Sequence, residues 1–149
     1  MGLDQYIHIT KEELTEDYYT ELGEKTHNEY GVPYYDDSTV LDNILILRKE
    51  NWLHGYLDRL CQSKTGHEIG NTDYFVFTQE DLKDLLNTCR EVIESRSVAI
   101  AEELLPPTRG CFFGSYTINE DYFESIEDFI KDMGEYEEDD NQYVYWAWW

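Results

Sequence analysis

Between Thr78 and Ile93 the chain places Leu82, Leu85, Leu86, Cys89 and Ile93 at i, i+3, i+4, i+7 and i+11. That spacing puts every apolar side chain on one face of a helix and every charge on the other. Such a helix is not stable alone; its apolar stripe must be covered by a second layer. Thr78 followed by Asp81 three residues on predicts an N-cap with a near capping box at its start. A second stripe, Tyr122, Phe123, Ile126, Phe129, Ile130 and Met133, predicts another one-sided helix capped by Asn119. Residues 96–105 read as a shorter helix stopped by Pro106 and Pro107.

Between these helices lie short segments with strand character. LDQYIHI near the start alternates Leu3, Gln5, Ile7 and Ile9 against Tyr6 and His8, YFVF at 74–77 is a short β-prone run, and the tail YVYWAWW has strand composition. CFFGSY, 111–116, reads as a strand or bulged strand. From Thr39 to Cys61 the apolar residues follow a helical arc, but Lys49 falls in its middle. Either the helix starts late, near Arg48, with ILIL as a buried extended run, or Lys49 points into a polar pocket. Strands interspersed with helices, without regular βαβ spacing, predict an α+β fold: one compact domain over 1–149, a small antiparallel sheet against three or four helices. Residues 11–37 are polar and acidic and read as a partly ordered insertion or a short helix.

Charge narrows the function. The chain carries 33 acidic against 11 basic residues, a formal −22. Direct binding to nucleic acid or to an anionic membrane requires Lys and Arg to neutralise phosphate, so both are disfavoured. A basic protein partner suits the charge. No apolar run approaches the ~20 residues that span a bilayer, and MGLDQYIHIT lacks the features of a signal peptide; the expectation is a soluble protein of the cytoplasm. Cys61, Cys89 and Cys111, with four scattered histidines, show no metal-ligand spacing, and no phosphate-loop, dinucleotide or nucleophile-elbow motif is present, so neither metal, cofactor nor catalytic residue is assigned.

Two candidate sites remain. From Glu120 to Asp140 there are eleven acids and one cation, Lys131. On a helix rising about 1.5 Å per residue, Glu120, Asp121, Glu124, Glu127, Asp128 and Asp132, continued by Glu137, Glu138, Asp139 and Asp140, reach a density comparable to the phosphates of B-DNA. They are the expected partner-binding surface, imitating DNA or RNA toward a basic nucleic-acid-binding protein; an ordinary solvated face is the alternative. The second candidate combines Arg48, Asn51 and His54, spaced i, i+3, i+6 as a polar ribbon, with the loop Arg109, Gly110, Gly114 and Ser115. Together they are expected to form a pocket between the 48–54 helix and the 109–115 loop that binds or hydrolyses a nucleotide or phosphate, with His54 as a general base. The plainer readings are a solvated helix flank whose cations pair with Glu50 and Asp58, and a proline-stopped turn that feeds Phe112 and Phe113 into the core. The aromatic tail, if exposed, would instead suit an assembly contact.

Four blocks carry a family resemblance: MGLDQY (1–6), LRKENWLH (47–54), FTQEDLKDLLNTCREVI (77–93) and AEELLPPTRGCFFGSYTINEDYFESIEDF (101–129). In them the chain resembles a group of small proteins of tailed phages and their bacterial hosts that open with MGLD and a nearby aromatic and share RKxNxxH and AEELLP…FFGS segments. This chain departs by PPTRG, where a PTQSG-like loop is the pattern, and by its more acidic tail. The resemblance implies no activity and no catalytic residue. It implies a viral or mobile-element setting, in which small acidic proteins often antagonise host defence. Taken with the acidic face, that setting makes the expected partner a nucleic-acid-binding defence protein in the host cytoplasm, such as a CRISPR effector or a restriction enzyme.

Overall fold

The structure is a computed structural model and describes residues 2–33, 44–110 and 112–149. Its elements in chain order are β1 (Asp4–Thr10), α1 (Glu16–Thr26), β2 (Ile44–Arg48), α2 (Asn51–Thr65), β3 (Phe75–Thr78), α3 (Gln79–Ser95), α4 (Val98–Leu104), α5 (Glu120–Gly134) and β4 (Gln142–Trp148). The fold is α+β. The four strands form one antiparallel sheet in the order β2-β1-β4-β3, so the last strand of the chain pairs with the first at the sheet centre.

Directly paired residues share a face, and strand alternation therefore divides the sheet cleanly. One face presents Ile7, Ile9, Phe75, Phe77, Tyr143, Tyr145 and Ala147 to a core completed by Trp52, Leu53 and Leu57 of α2, the α3 stripe, Ala101 of α4 and the α5 stripe. The other face carries Tyr6, His8, Val144 and Trp146, and α1 lies against it through Tyr18, Tyr19 and His27.

Local chemistry explains most element boundaries. Thr78 Oγ1 accepts from the Asp81 N–H at 3.1 Å, while the Asp81 carboxylate accepts from the Thr78 N–H at 2.9 Å, the reciprocal pair expected from the sequence. Asn119 Oδ1 caps α5 by accepting from the Tyr122 N–H at 3.1 Å. Gly66, at φ +77°, ends α2 in the left-handed conformation that glycine adopts most cheaply. Of the two readings of 39–61, the late helix is the one observed, with α2 beginning at Asn51; ILIL is the body of β2 but is not the buried run expected, since Leu45 and Leu47 are half-buried and Ile46 is exposed at the sheet edge. Lys49 stands at the junction with φ +58° and breaks the extended run; residues 39–43 lie outside the described residues. In the acidic 11–37 segment the short helix forms, as α1, capped by Thr15; residues 34–37 lie outside the described ones. The strand expected at 111–116 does not form. Residues 112–116 cross the start of α2 as a loop: the Phe113 and Ser115 carbonyls are taken by the Asn51 side chain, and the Phe112 carbonyl by the Leu3 N–H alone; Cys111 lies outside the described residues. The aromatic tail is β4, buried from Tyr143 to Ala147 rather than displayed.

Candidate functional site

The junction of α2 with the 108–115 loop is built around one amide. Asn51, in the first turn of α2, donates from Nδ2 to the carbonyls of Phe113 (3.1 Å) and Ser115 (3.0 Å), and its Oδ1 accepts from the Thr108 N–H at 3.3 Å. Both amide protons and the carbonyl are therefore occupied in tying the two ends of the loop to the helix. Phe113 turns inward against His54 and Trp149, with ring centroids 5.3 and 5.4 Å away. Gly110 permits that packing, since a Cβ there would meet the Phe113 ring at 2.7 Å; Thr108 Oγ1 likewise fills the space a Cβ on Gly55 would need. Gly114 sits at φ +95° against the Lys49 side chain.

His54 is only 5% exposed. Its Nδ1 lies 2.8 Å from the Tyr145 hydroxyl, which also accepts from Gln5 Nε2 at 3.1 Å. With the Gln5 amide donating to the phenol oxygen, the Tyr145 O–H is left to donate to Nδ1, which places the imidazole proton on Nε2. Gln5 closes the network on the Glu50 backbone, accepting at 2.8 Å and donating at 2.9 Å. Burial holds His54 below the ordinary imidazole pKa, partly opposed by Asp58, and pushes the Tyr145 phenol upward. The ring is thus a neutral member of a core network, not a solvent-facing base.

The expected ribbon of Arg48, Asn51 and His54 does not exist as one helical face. Arg48 ends β2 and pairs across the strand with Asp4, Nε to Oδ1 3.5 Å. The flank reading fails as well, because Asn51 and His54 are buried and Glu50 turns to other work. Its carboxylate accepts from Trp52 Nε1 at 2.9 Å, and burial raises its pKa. Asp58 accepts from the Ile69 N–H at 2.7 Å and from Gln62 at 3.1 Å. Arg109 is exposed over the Tyr116 ring, 5.3 Å from its centroid, and Ser115 Oγ accepts from the Thr117 N–H at 3.1 Å. Asn51, His54, Gly110, Gly114 and Ser115 are thus brought together as a structural joint, with Arg48 and Arg109 engaged at its edges.

The acidic surface divides into paired and unpaired carboxylates. Arg96, the left-handed C-cap of α3, bridges Glu120 at 3.0 Å and Glu127, and its guanidinium lies 5.4 Å from the Phe123 centroid. Arg90 on α3 grips Glu137 with two parallel bonds of 2.7 and 2.6 Å, holding that carboxyl below its ordinary pKa. These three acids fasten α5 and the turn after it to α3. No local signal marks them, since their arginines lie 24 to 47 residues away. Gln79 reinforces the turn by donating to the Tyr136 and Glu137 carbonyls, both at 2.9 Å. Asp139 accepts from Asn141 Nδ2 at 3.3 Å.

Asp121, Glu124, Asp128 and Asp132 are exposed and follow one another at i, i+3, i+7 and i+11 along the outer side of α5. Among the described residues no cationic side chain forms an ion pair with any of the four. They make a ridge about 16 Å long, with a carboxylate roughly every 5 Å of helix axis. Glu138, Asp139 and Asp140 stand exposed on the anchored turn beyond the helix C-terminus.

Compared with protein-family models, curated proteins and solved structures, the chain matches none. Among the described residues no helix is long and apolar enough to cross a membrane, and no group of three or more His, Cys, Asp or Glu is placed to hold a metal ion.

Proposed function

We propose that this chain is an acidic interaction protein of phage type. It inhibits a host nucleic-acid-binding defence protein, a CRISPR effector or restriction enzyme in the cytoplasm, by presenting carboxylates where that protein expects phosphates. The observation that carries the reading is the α5 ridge: Asp121, Glu124, Asp128 and Asp132 are exposed, without an ion pair among the described residues, on a helix whose opposite face is buried. A groove lined with Lys and Arg gains from meeting charges already held in place, because ordering costs are met by folding rather than at binding. Glu138, Asp139 and Asp140 extend the track, and the Glu120, Glu127 and Glu137 pairs keep it rigid.

The partner is a protein whose own ligand is DNA or RNA, and the test follows from that. A basic protein captured from host lysate at low salt should be displaced by duplex DNA or RNA and lost at about 300 mM salt, where screening acts within a few ångströms. It should also be lost when Asp121, Glu124, Asp128 and Asp132 are changed together to Asn or Gln. Capture that survives both salt and ridge neutralisation removes the mimicry reading.

A further inference from the structure

Helix α1 sits apart from the main core, and the way it is held is unusual. It buries only Leu22 and Thr26. Its partners on the second face of the sheet are aromatic: Tyr18 lies 5.8 Å from His8, Tyr19 5.9 Å from Tyr74, and the His27 ring that ends the helix lies 5.0 Å from Trp146. Polar anchoring is thin. Thr26 Oγ1 bonds the Leu22 carbonyl at 2.7 Å and touches His27 Nδ1 at 2.7 Å and the Tyr74 hydroxyl at 3.3 Å.

Against this, two buried side-chain polar atoms in this layer, His8 Nδ1 and Trp146 Nε1, have no hydrogen-bond partner among the described residues, and the buried Tyr18 hydroxyl has only Thr10 beside it, outside good hydrogen-bond geometry. An unsatisfied buried polar group opposes the docked state by its desolvation. A short helix with an internal glycine, Gly23, has little stability of its own to offset that. The imidazoles add a condition. His8 faces Tyr18 and Lys25 on α1 and Glu12 in the following loop; His27 faces Thr26, the Gly23 carbonyl, Tyr74 and Trp146. Burial dominates in both and favours the neutral rings; Lys25 adds to the effect at His8, where Glu12 opposes it, and the Gly23 carbonyl opposes it at His27.

We infer that α1 is an acid-releasable cover. Uptake of protons by His8 and His27 undocks Glu16–Thr26 from the sheet and uncovers the aromatic face of Tyr6, Tyr74 and Trp146, while α2, α3 and α5 stay in place. The sign is set by the rings being less basic when docked than when free. Docked α1 binds fewer protons, so its docking is fully favoured above the free imidazole value of about 6.5 and is lost as pH falls below it. This does not depend on the α5 reading.

Amide hydrogen exchange on the full chain, corrected for intrinsic rates, tests it. Between about pH 7.5 and 5.5, protection across Tyr18–Thr26 should fall about tenfold or more relative to α3 and α5. The His8→Gln, His27→Gln double variant should show no such step. An unchanged α1, a uniform loss across α1 and α3, or a step that persists in the double variant overturns the inference. Should that variant not fold, proton NMR of the unmodified chain decides. Both imidazoles should titrate below about 6.5, in step with the loss of α1 protection; midpoints at or above that value overturn it.

Discussion

The loop junction around Asn51 and the ridge of α5 are both polar and both sit on well-formed helices, yet they treat their polar groups in opposite ways. At the junction every hydrogen-bonding atom of Asn51 is satisfied from inside, and His54 is closed off by Tyr145, Phe113 and Trp149. On the ridge four carboxylates face solvent with no cation among the described residues engaged. Polarity inside a fold is a structural resource, because leaving it unmatched is costly; polarity held outside without a partner is available to another molecule. The contrast assigns stability to the first region and makes the second the surface on which the proposed recognition rests.

The comparison can be broken from either side, beginning with the largest effect. Asn51→Ala leaves the Phe113 and Ser115 carbonyls and the Thr108 N–H without their partner. It should cost about 3 kcal/mol in urea-unfolding free energy, and Asn51→Asp, an acceptor only, should not restore it. A silent Asn51→Ala would mean that the junction is not a clamp. Tyr145→Phe removes the hydroxyl shared by His54 and Gln5 and should cost about 1–2 kcal/mol. Because burial lowers the His54 pKa, folded chains hold fewer protons on it than unfolded ones. Its contribution to stability should therefore be complete above about pH 6.5 and decline below, visible as a falling Tm in buffered melts.

Smaller effects test the boundary between the two regions. Glu137→Gln breaks the two-pronged contact with Arg90 and, at this partly exposed site, should lower stability by no more than about 1 kcal/mol. The depressed carboxyl pKa means that the contribution of Glu137 is present above the ordinary glutamate range and is lost as pH falls through and below it. The smallest change in stability is expected for Asp121→Asn, Glu124→Gln, Asp128→Asn and Asp132→Asn, made one at a time. Each should move the unfolding free energy by within about 0.5 kcal/mol, and any net change should be toward greater stability as like charges are removed. A ridge variant that unfolds would show those carboxylates to be structural and erase the distinction.

Much of this was legible along the chain, and its limits have a common cause. The α3 stripe and the Thr78–Asp81 capping box need only neighbours three or four residues apart, and both stand where periodicity puts them. The same is true of Asn119 and α5. The helical arc drawn over 39–61 holds only from Asn51 onward: Ile44–Arg48 is a strand, and Lys49, in a left-handed backbone conformation, separates it from the helix. CFFGSY has the composition of a strand, but Asn51, more than sixty residues earlier, takes the Phe113 and Ser115 carbonyls that a neighbouring strand would need. The arginines that pair with Glu120, Glu127 and Glu137 were equally invisible, since nothing near those acids distinguishes them from Asp121 or Glu124.

By itself, the order of residues determined the α+β class, most of the helices with their inner and outer faces, and the concentration of negative charge at 120–140, because these depend on short-range periodicity and composition. Only the tertiary structure decided that the last strand lies beside the first, that Gln5 meets Tyr145 across 140 residues, and that Asn51 and His54 point inward. It also decided which carboxylates of α5 were left unpaired. The physical reason is that burial and pairing belong to contacts between distant segments, and a side chain's chemistry becomes structural or available only once those contacts have formed.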